Sequence, residues 1–212
     1  MAFSQSLWKH RGATMIELMG VLAIMGLGIA ALLETIGGGI YFAKDTENNI
    51  KAINLAREGI EGMTNIRDTN WMRFSSDRGN CWKTKDYNGL CINDTSFAGI
   101  IGDGSYILYI RNGAWYLSGI STTPYTTNWT AYSKAFKVGL DDKGFWTQTG
   151  VTTTTLCNSQ TQTGCLSPFT REITVKLVGT GTMNIQSIVR WQGKRMRNVT
   201  LETVLTNWKS NF

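Results

Sequence analysis

The sequence predicts an α+β protein in which a long N-terminal helix packs on an antiparallel sheet. Three observations point there. An apolar run near the N-terminus passes into a stretch, residues 44–67, that keeps helical spacing. From Trp71 onward the pattern changes to short β-rich runs separated by turn residues. One of those turns, Asn112-Gly113, is the favoured two-residue hairpin connection. The chain has 212 residues, 42% of them hydrophobic, enough for one domain with a core of its own and an appendage.

The helix comes first in the chain. Ala13 to Ile36 are apolar except for Thr14, Glu17, Glu34 and Thr35, and Leu18 to Leu33 carry no charge. That uncharged core is somewhat short of the ~20 residues a membrane span needs, and the flanks make up the length. Lys9, His10 and Arg11 precede it, which predicts an N-in, C-out orientation. Beyond it, Ile50, Ile53, Ala56, Ile60 and Met63 recur at three and four residues, while Lys51, Arg57, Glu58 and Glu61 fall mostly elsewhere. A helix from Thr14 to Arg67 would be about 80 Å long at ~1.5 Å per residue. Gly26, Gly28 and above all Gly37–Gly39 weaken it, at about 1 kcal/mol per interior glycine. A kink or unwound turn is expected there; the alternative is a true break between a membrane helix and a separate soluble one. The organisation expected is 1–12 as a basic leader segment, 13–36 as the span, 37–70 as the amphipathic continuation and 71–212 as the sheet domain.

The sheet elements follow in order. "YILYIRNGAWYLSGI" reads as a hairpin, and "AFKVGLDDKGFW" as a second, turning at Asp142-Lys143-Gly144. Residues 171–178, 184–191 and 197–205 read as three more strands, the last two joined across Gln192-Gly193-Lys194. Two Thr-rich stretches, "STTPYTTNWT" and "TQTGVTTTTLCNSQTQTG", read as loops or edge strands. The sheet should have about four to six strands.

Four cysteines, Cys81, Cys91, Cys157 and Cys165, lie downstream of the apolar run, and neither close pair has C-x-x-C spacing. Zinc and thioredoxin-like readings are therefore weak. Four cysteines allow three pairings; the expected ones are Cys81–Cys91 and Cys157–Cys165, each closing a short surface loop, against the alternative of reduced buried thiols. The single histidine, His10, precedes the apolar run, so a chain cut after it has none. That excludes Ser-His and Cys-His catalysis and any histidine metal site. The formal charge of +6 is a modest basic excess and does not mark a nucleic-acid binder by itself.

Glu17 is the anomaly. A charge in hydrocarbon costs about 2.5–3.5 kcal/mol on insertion scales, so such a residue usually has a task. The basic segment, then Gly12, then Ala13-Thr14-Met15-Ile16-Glu17-Leu18, then an apolar helix, resembles the processing site of type IV prepilins and pseudopilins. In that family a membrane peptidase cuts after the glycine and methylates the new N-terminus. The resemblance implies cleavage between Gly12 and Ala13, N-methylation of Ala13 and an assembly role for Glu17, which would be the fifth residue of the mature chain. Ala13 stands where the family usually has phenylalanine. A freed amine at Ala13 of one subunit and the Glu17 carboxylate of another would neutralise each other at far lower cost than either ion alone. The glycines fit helices that lose helicity locally in a filament, or close packing by small residues. "NLAREGIEGMTNIRDTNW" (54–71) and "VTLETVLTNW" (199–208) further resemble pilin-like proteins labelled minor pilins.

The resemblance therefore implies a pilin-like fold and a structural subunit, a minor pilin given its length, of a type IV pilus-like filament. The alternative is a pseudopilin of a type II secretion or DNA-uptake (competence) system. The implied partners are other pilin subunits, the prepilin peptidase, the inner-membrane assembly platform and its ATPase, and the membrane through the N-terminal helix. The implied location is the cytoplasmic (inner) membrane with the C-terminal domain outside, then an extracellular filament or pseudopilus. No catalytic residue, metal or cofactor is expected.

Rival readings are weaker. Gly28-Ile29-Ala30 offers a signal-peptidase site, but a signal core rarely holds a carboxylate and this apolar run continues past the cut. Asp141-Asp142 reads first as a hairpin turn and has too few neighbouring oxygen ligands for calcium. Glu58 and Glu61 read as a solvated or subunit-facing helix surface. Arg190, Lys194, Arg195 and Arg197 beside Trp191 are a low-weight candidate for contact with DNA phosphates.

Overall fold

The computed structural model describes residues 14–92, 94, 98–141, 143–149, 156–157, 164–193 and 195–209. The chain divides into two compact units, Met1–Asn48 and Asn49–Phe212. The fold is α+β: a long N-terminal helix packs on a seven-stranded antiparallel sheet.

Helix α1 runs from Met15 to Arg73. It starts at Thr14, whose carbonyl accepts from the N–H groups of Glu17 and Leu18. The helix is uninterrupted through Gly37–Gly39, so the expected unwound turn is not found. Among the described residues, a Cβ at Gly26, Gly28 or Gly37–Gly39 would have no packing neighbour within 4 Å beyond the helix's own backbone, so no close packing there forces the backbone off its course.

In the second unit the helix buries Ala52, Leu55, Ala56, Gly59, Gly62, Met63 and Ile66. This differs in phase from the sequence expectation. Ala56 and Met63 are inside and Ile60 half-buried, but Ile50 and Ile53 are 56% and 39% exposed. The cause is closeness. Small residues let the helix backbone approach the sheet, whose inner face already supplies Phe169, Ile173, Met183 and Trp191.

The strands are β1 (Gly104–Arg111), β2 (Ala114–Gly119), β3 (Lys137–Leu140), β4 (Trp146–Thr147), β5 (Cys165–Leu177), β6 (Thr182–Gln192) and β7 (Met196–Thr206). That is more than the four to six expected, because both arms of the second hairpin join the sheet. Asn112 and Gly113 both have positive φ, 52° and 76°, as the β1–β2 hairpin requires. Strand β6 pairs along its length with β5 and β7. The other edge of β5 is shared: β3 pairs with its first half and β1 with its second.

Gln148 fills the gap at that fork. Its Oε1 accepts from the Leu108 N–H at 3.0 Å, and its Nε2 donates to the carbonyls of Phe136 and Arg171 at 3.1 and 2.6 Å. One side-chain amide thus replaces the ladder bonds that neither β1 nor β3 reaches.

Three short elements complete the fold. Helix α2 (Arg78–Cys81) is capped by Asp77. A 3₁₀ turn covers Gly89–Cys91. Helix α3 (Trp129–Phe136) is capped by Asn128, whose side chain accepts from the Ala131 N–H. The sequence pattern predicts a loop or edge strand over 121–130 and a strand from Ala135; the cap and one apolar face, Tyr132 and Phe136, make a helix of 129–136 instead. That face packs beside Ile107 in a cluster distinct from the one shared with α1.

Candidate functional site

Within Met1–Asn48, residues 15–44 of α1 are exposed throughout, including Ile16, Leu22, Leu27, Leu33, Ile40 and Phe42. This segment is long and apolar enough to cross a membrane, and none of it is buried in the chain. Glu17 lies in the first helical turn, where a carboxylate faces the positive end of the helix dipole. Gly12 and Ala13, the expected cleavage site, lie outside the described residues.

Residues 54–71 and 199–208 meet in the second unit. The Trp71 Nε1–H donates to Asn207 Oδ1 at 2.9 Å, and the Trp71 and Trp208 rings meet edge to face at 5.4 Å. Asn70, fully buried, donates to the Trp82 and Thr84 carbonyls and accepts from the Thr84 hydroxyl. The end of α1 is thereby tied to the chain that follows it and to the residues just after β7.

Both cysteine pairs are bridged as expected, Cys81–Cys91 and Cys157–Cys165. The first bridge does not close a surface loop: Trp82, Thr84 and Tyr87 within it are buried. Cys81 and Cys91 are fully buried in a cluster with Trp71, Phe74 and Trp82. Cys165 is fully buried at the start of β5, beside Leu166, whose carbonyl accepts from the Cys157 N–H. Residues 158–163 of the second loop lie outside the described residues.

Helix and sheet are joined by an ion pair that reading Glu58 as surface did not foresee. Arg171, on β5, is fully buried and lies 3.1 Å from Glu58 on α1. It also donates to Gln148 Oε1 and to the carbonyls of Leu55 and Leu108. Burial pulls the Arg171 pKa down and Glu58 opposes it. An arginine alternating with apolar Phe169, Ile173 and Val175 on a strand was the available signal for an inward-facing charge.

The basic residues near the C-terminus do not form one surface. Trp191 is buried toward α1 with Ala52, Leu55 and Ala56. Arg190 points to the opposite sheet face, as alternation along a strand demands. Arg195 and Arg197 are exposed, and Lys194 lies outside the described residues.

Arg190 instead belongs to a polar cluster. Its Nη1 lies 2.7 Å from Glu172 Oε2. Glu172 also accepts from the Ser105 and Tyr132 hydroxyls at 2.6 and 2.7 Å. Burial pushes the Glu172 carboxyl up, but Ser105, Tyr132 and Arg190 together outweigh it and hold the group below the usual carboxylate range. Burial, and then Glu172, raises the Tyr132 phenol, so it stays a neutral donor. Sequence reading missed Glu172, Ser105 and Tyr132, which are far apart in the chain.

Asp141 serves the β3–β4 turn: its Oδ1 accepts from the Lys143 and Phe145 N–H groups, and Gly144 has φ +81°. Asp142 lies outside the described residues, and among those described no cluster of acidic, cysteine or histidine side chains could hold a metal ion. No protein-family model, curated protein or solved structure matches the chain.

Proposed function

We propose that this chain is a structural subunit of a type IV pilus-like filament, cut after Gly12 by a prepilin peptidase. The observation that carries the reading is the exposed apolar segment of α1, with Glu17 in its first turn, in one helix with residues that cover the sheet of the second unit. A soluble protein does not leave such a surface uncovered. In the membrane, lipid covers it; in a filament, the same helix of neighbouring subunits does. Glu17 then meets the N-terminal amine of another subunit, and each ion loses most of the cost it carries alone in an apolar setting. The leader residues Lys9, His10 and Arg11 hold the N-terminus inside, and the disulfide-bonded domain lies outside, where oxidation is permitted.

Mass spectrometry of the mature chain tests the cut: it should begin at Ala13 and carry one added methyl group. A chain that begins at Met1 or Ala31 overturns the reading. Glu17→Val should insert and be cut as well as the parent, since it removes a charge from hydrocarbon. It should be depleted from sheared filaments; wild-type levels there would sink the pairing.

A further inference from the structure

A cavity of about 280 Å³ opens on the sheet face that carries α3. Ser105, Glu172 and Arg190 contribute from β1, β5 and β6, and Tyr132 from α3. Thr122, Thr123 and Tyr125 line it from the loop between β2 and α3.

Its charge is internally balanced. Glu172 already accepts three hydrogen bonds, which fill most of the roughly four lone-pair sites of a carboxylate. An entering cation or anion would gain little without separating the buried pair, and that is costly. Neutral ligands face no such conflict.

The lining has an aromatic side. The Arg190 guanidinium lies 4.2 Å from the Tyr125 ring centroid and 5.1 Å from that of Tyr132. The Tyr125 ring therefore rests on the guanidinium although the loop around it is exposed. The hydroxyls of Thr122 and Thr123 make no hydrogen bond to the described residues, so they remain free to exchange bonds with a ligand.

Size narrows the ligand further. Pockets for drug-sized molecules run from about 300 to 1,000 Å³, and this one, at about 280 Å³, suits one six-membered ring and not an extended chain. A ring with an apolar C–H face and a fringe of hydroxyls matches an aromatic surface beside paired charges and free hydroxyls. We propose that the cavity binds one neutral pyranose, free or as the terminal residue of a glycan. Tyr125 stacks on its C–H face, and Thr122 and Thr123 bond its hydroxyls. The proposal does not rest on the filament reading.

The test is saturation-transfer NMR on the full chain in phosphocholine-headed micelles, which carry no sugar of their own. The probes are glucose, galactose, mannose and N-acetylglucosamine, their O-methyl glycosides, and acetate and methylammonium as ionic competitors. At least one pyranose should receive magnetisation at its ring protons, undiminished by either ion. Binding of the methyl glycoside as well as the reducing sugar marks a glycan terminus; binding of the reducing sugar alone marks a free one. Tyr125→Ala and, separately, Thr123→Val alter exposed loop residues and should each weaken binding roughly three- to tenfold. Failure of every pyranose to bind, equal binding in both variants, or displacement by acetate would overturn the proposal.

Discussion

Gly59→Ala sets two effects against each other. In a helix interior, alanine is favoured over glycine by about 1 kcal/mol, so propensity predicts stabilisation. Packing predicts the reverse. A Cβ at Gly59 would lie 2.3 Å from Ser187 Oγ, 2.9 Å from Ile173 Cδ1 and 3.1 Å from Ser187 Cβ. The Ile173 methyl can rotate aside, but Ser187 Cβ is fixed on a central strand, and Ser187 and Ile173 are both fully buried. Overpacking of this kind costs typically about 1–3 kcal/mol. Setting that against the propensity gain leaves a net loss of about 0–2 kcal/mol. Ser187→Ala supplies the control. Its hydroxyl is buried with no hydrogen-bond partner among the described residues, so removing it should be neutral or slightly stabilising. It also deletes the atom in closest conflict. The double variant should therefore regain at least about half of the loss, with a coupling above ~0.5 kcal/mol. Urea unfolding of the full chain in micelles, followed by tryptophan fluorescence, reads both quantities from the midpoint and slope. If Gly59→Ala raises the midpoint, or if the two changes simply add, the close approach of helix and sheet at this position is not what the geometry implies.

Other expectations concern the buried charges and the division of the chain. Arg171→Met should cost about 3–5 kcal/mol, because it strips partners from Glu58, Gln148 and two carbonyls; combining it with Gln148→Leu should cost less than the sum, since both act at one fork of the sheet. A loss below about 1 kcal/mol in the same urea assay would mean that the pair is solvated. The Glu172 carboxyl is held low in the folded chain, so its contribution is fully present above the unfolded value of about 4.3 and lost as pH falls through the native value. The urea midpoint should drop on the acid side, and Glu172→Gln should flatten that limb; an unchanged acid limb refutes the assignment. Residues 44–212, exported to an oxidising compartment, should be soluble, monomeric and cooperative in thermal unfolding, with mixed helix and strand by circular dichroism. Aggregation would mean that exposed Ile50 and Ile53 need a covering surface from another chain.

Local patterns in the sequence determined much of this protein. The apolar run and the helical spacing after it specify α1 because periodicity survives whatever packs against it. Asn112-Gly113 specifies a hairpin because few other residues accept positive φ twice in succession. Strands β6 and β7 are legible from alternation, and the cysteine pairs from the short loops they close. The tertiary structure decided which face of each element is inside. Ile50 and Ile53 outrank Ala52 and Gly59 in hydrophobicity, yet the small residues are buried, because the sheet fills the space that larger helix side chains would need. Glu58 looked solvated because its partner, Arg171, is on a strand distant in sequence. Arg190 and Trp191 looked like one basic and aromatic patch, but a strand sends neighbours to opposite faces: Trp191 went to α1 and Arg190 to Glu172 and the tyrosines. A side chain's chemistry is written in the sequence, but the partner that makes a charge tolerable or a pocket usable comes from a distant segment. Only the packed sheet brings the two together.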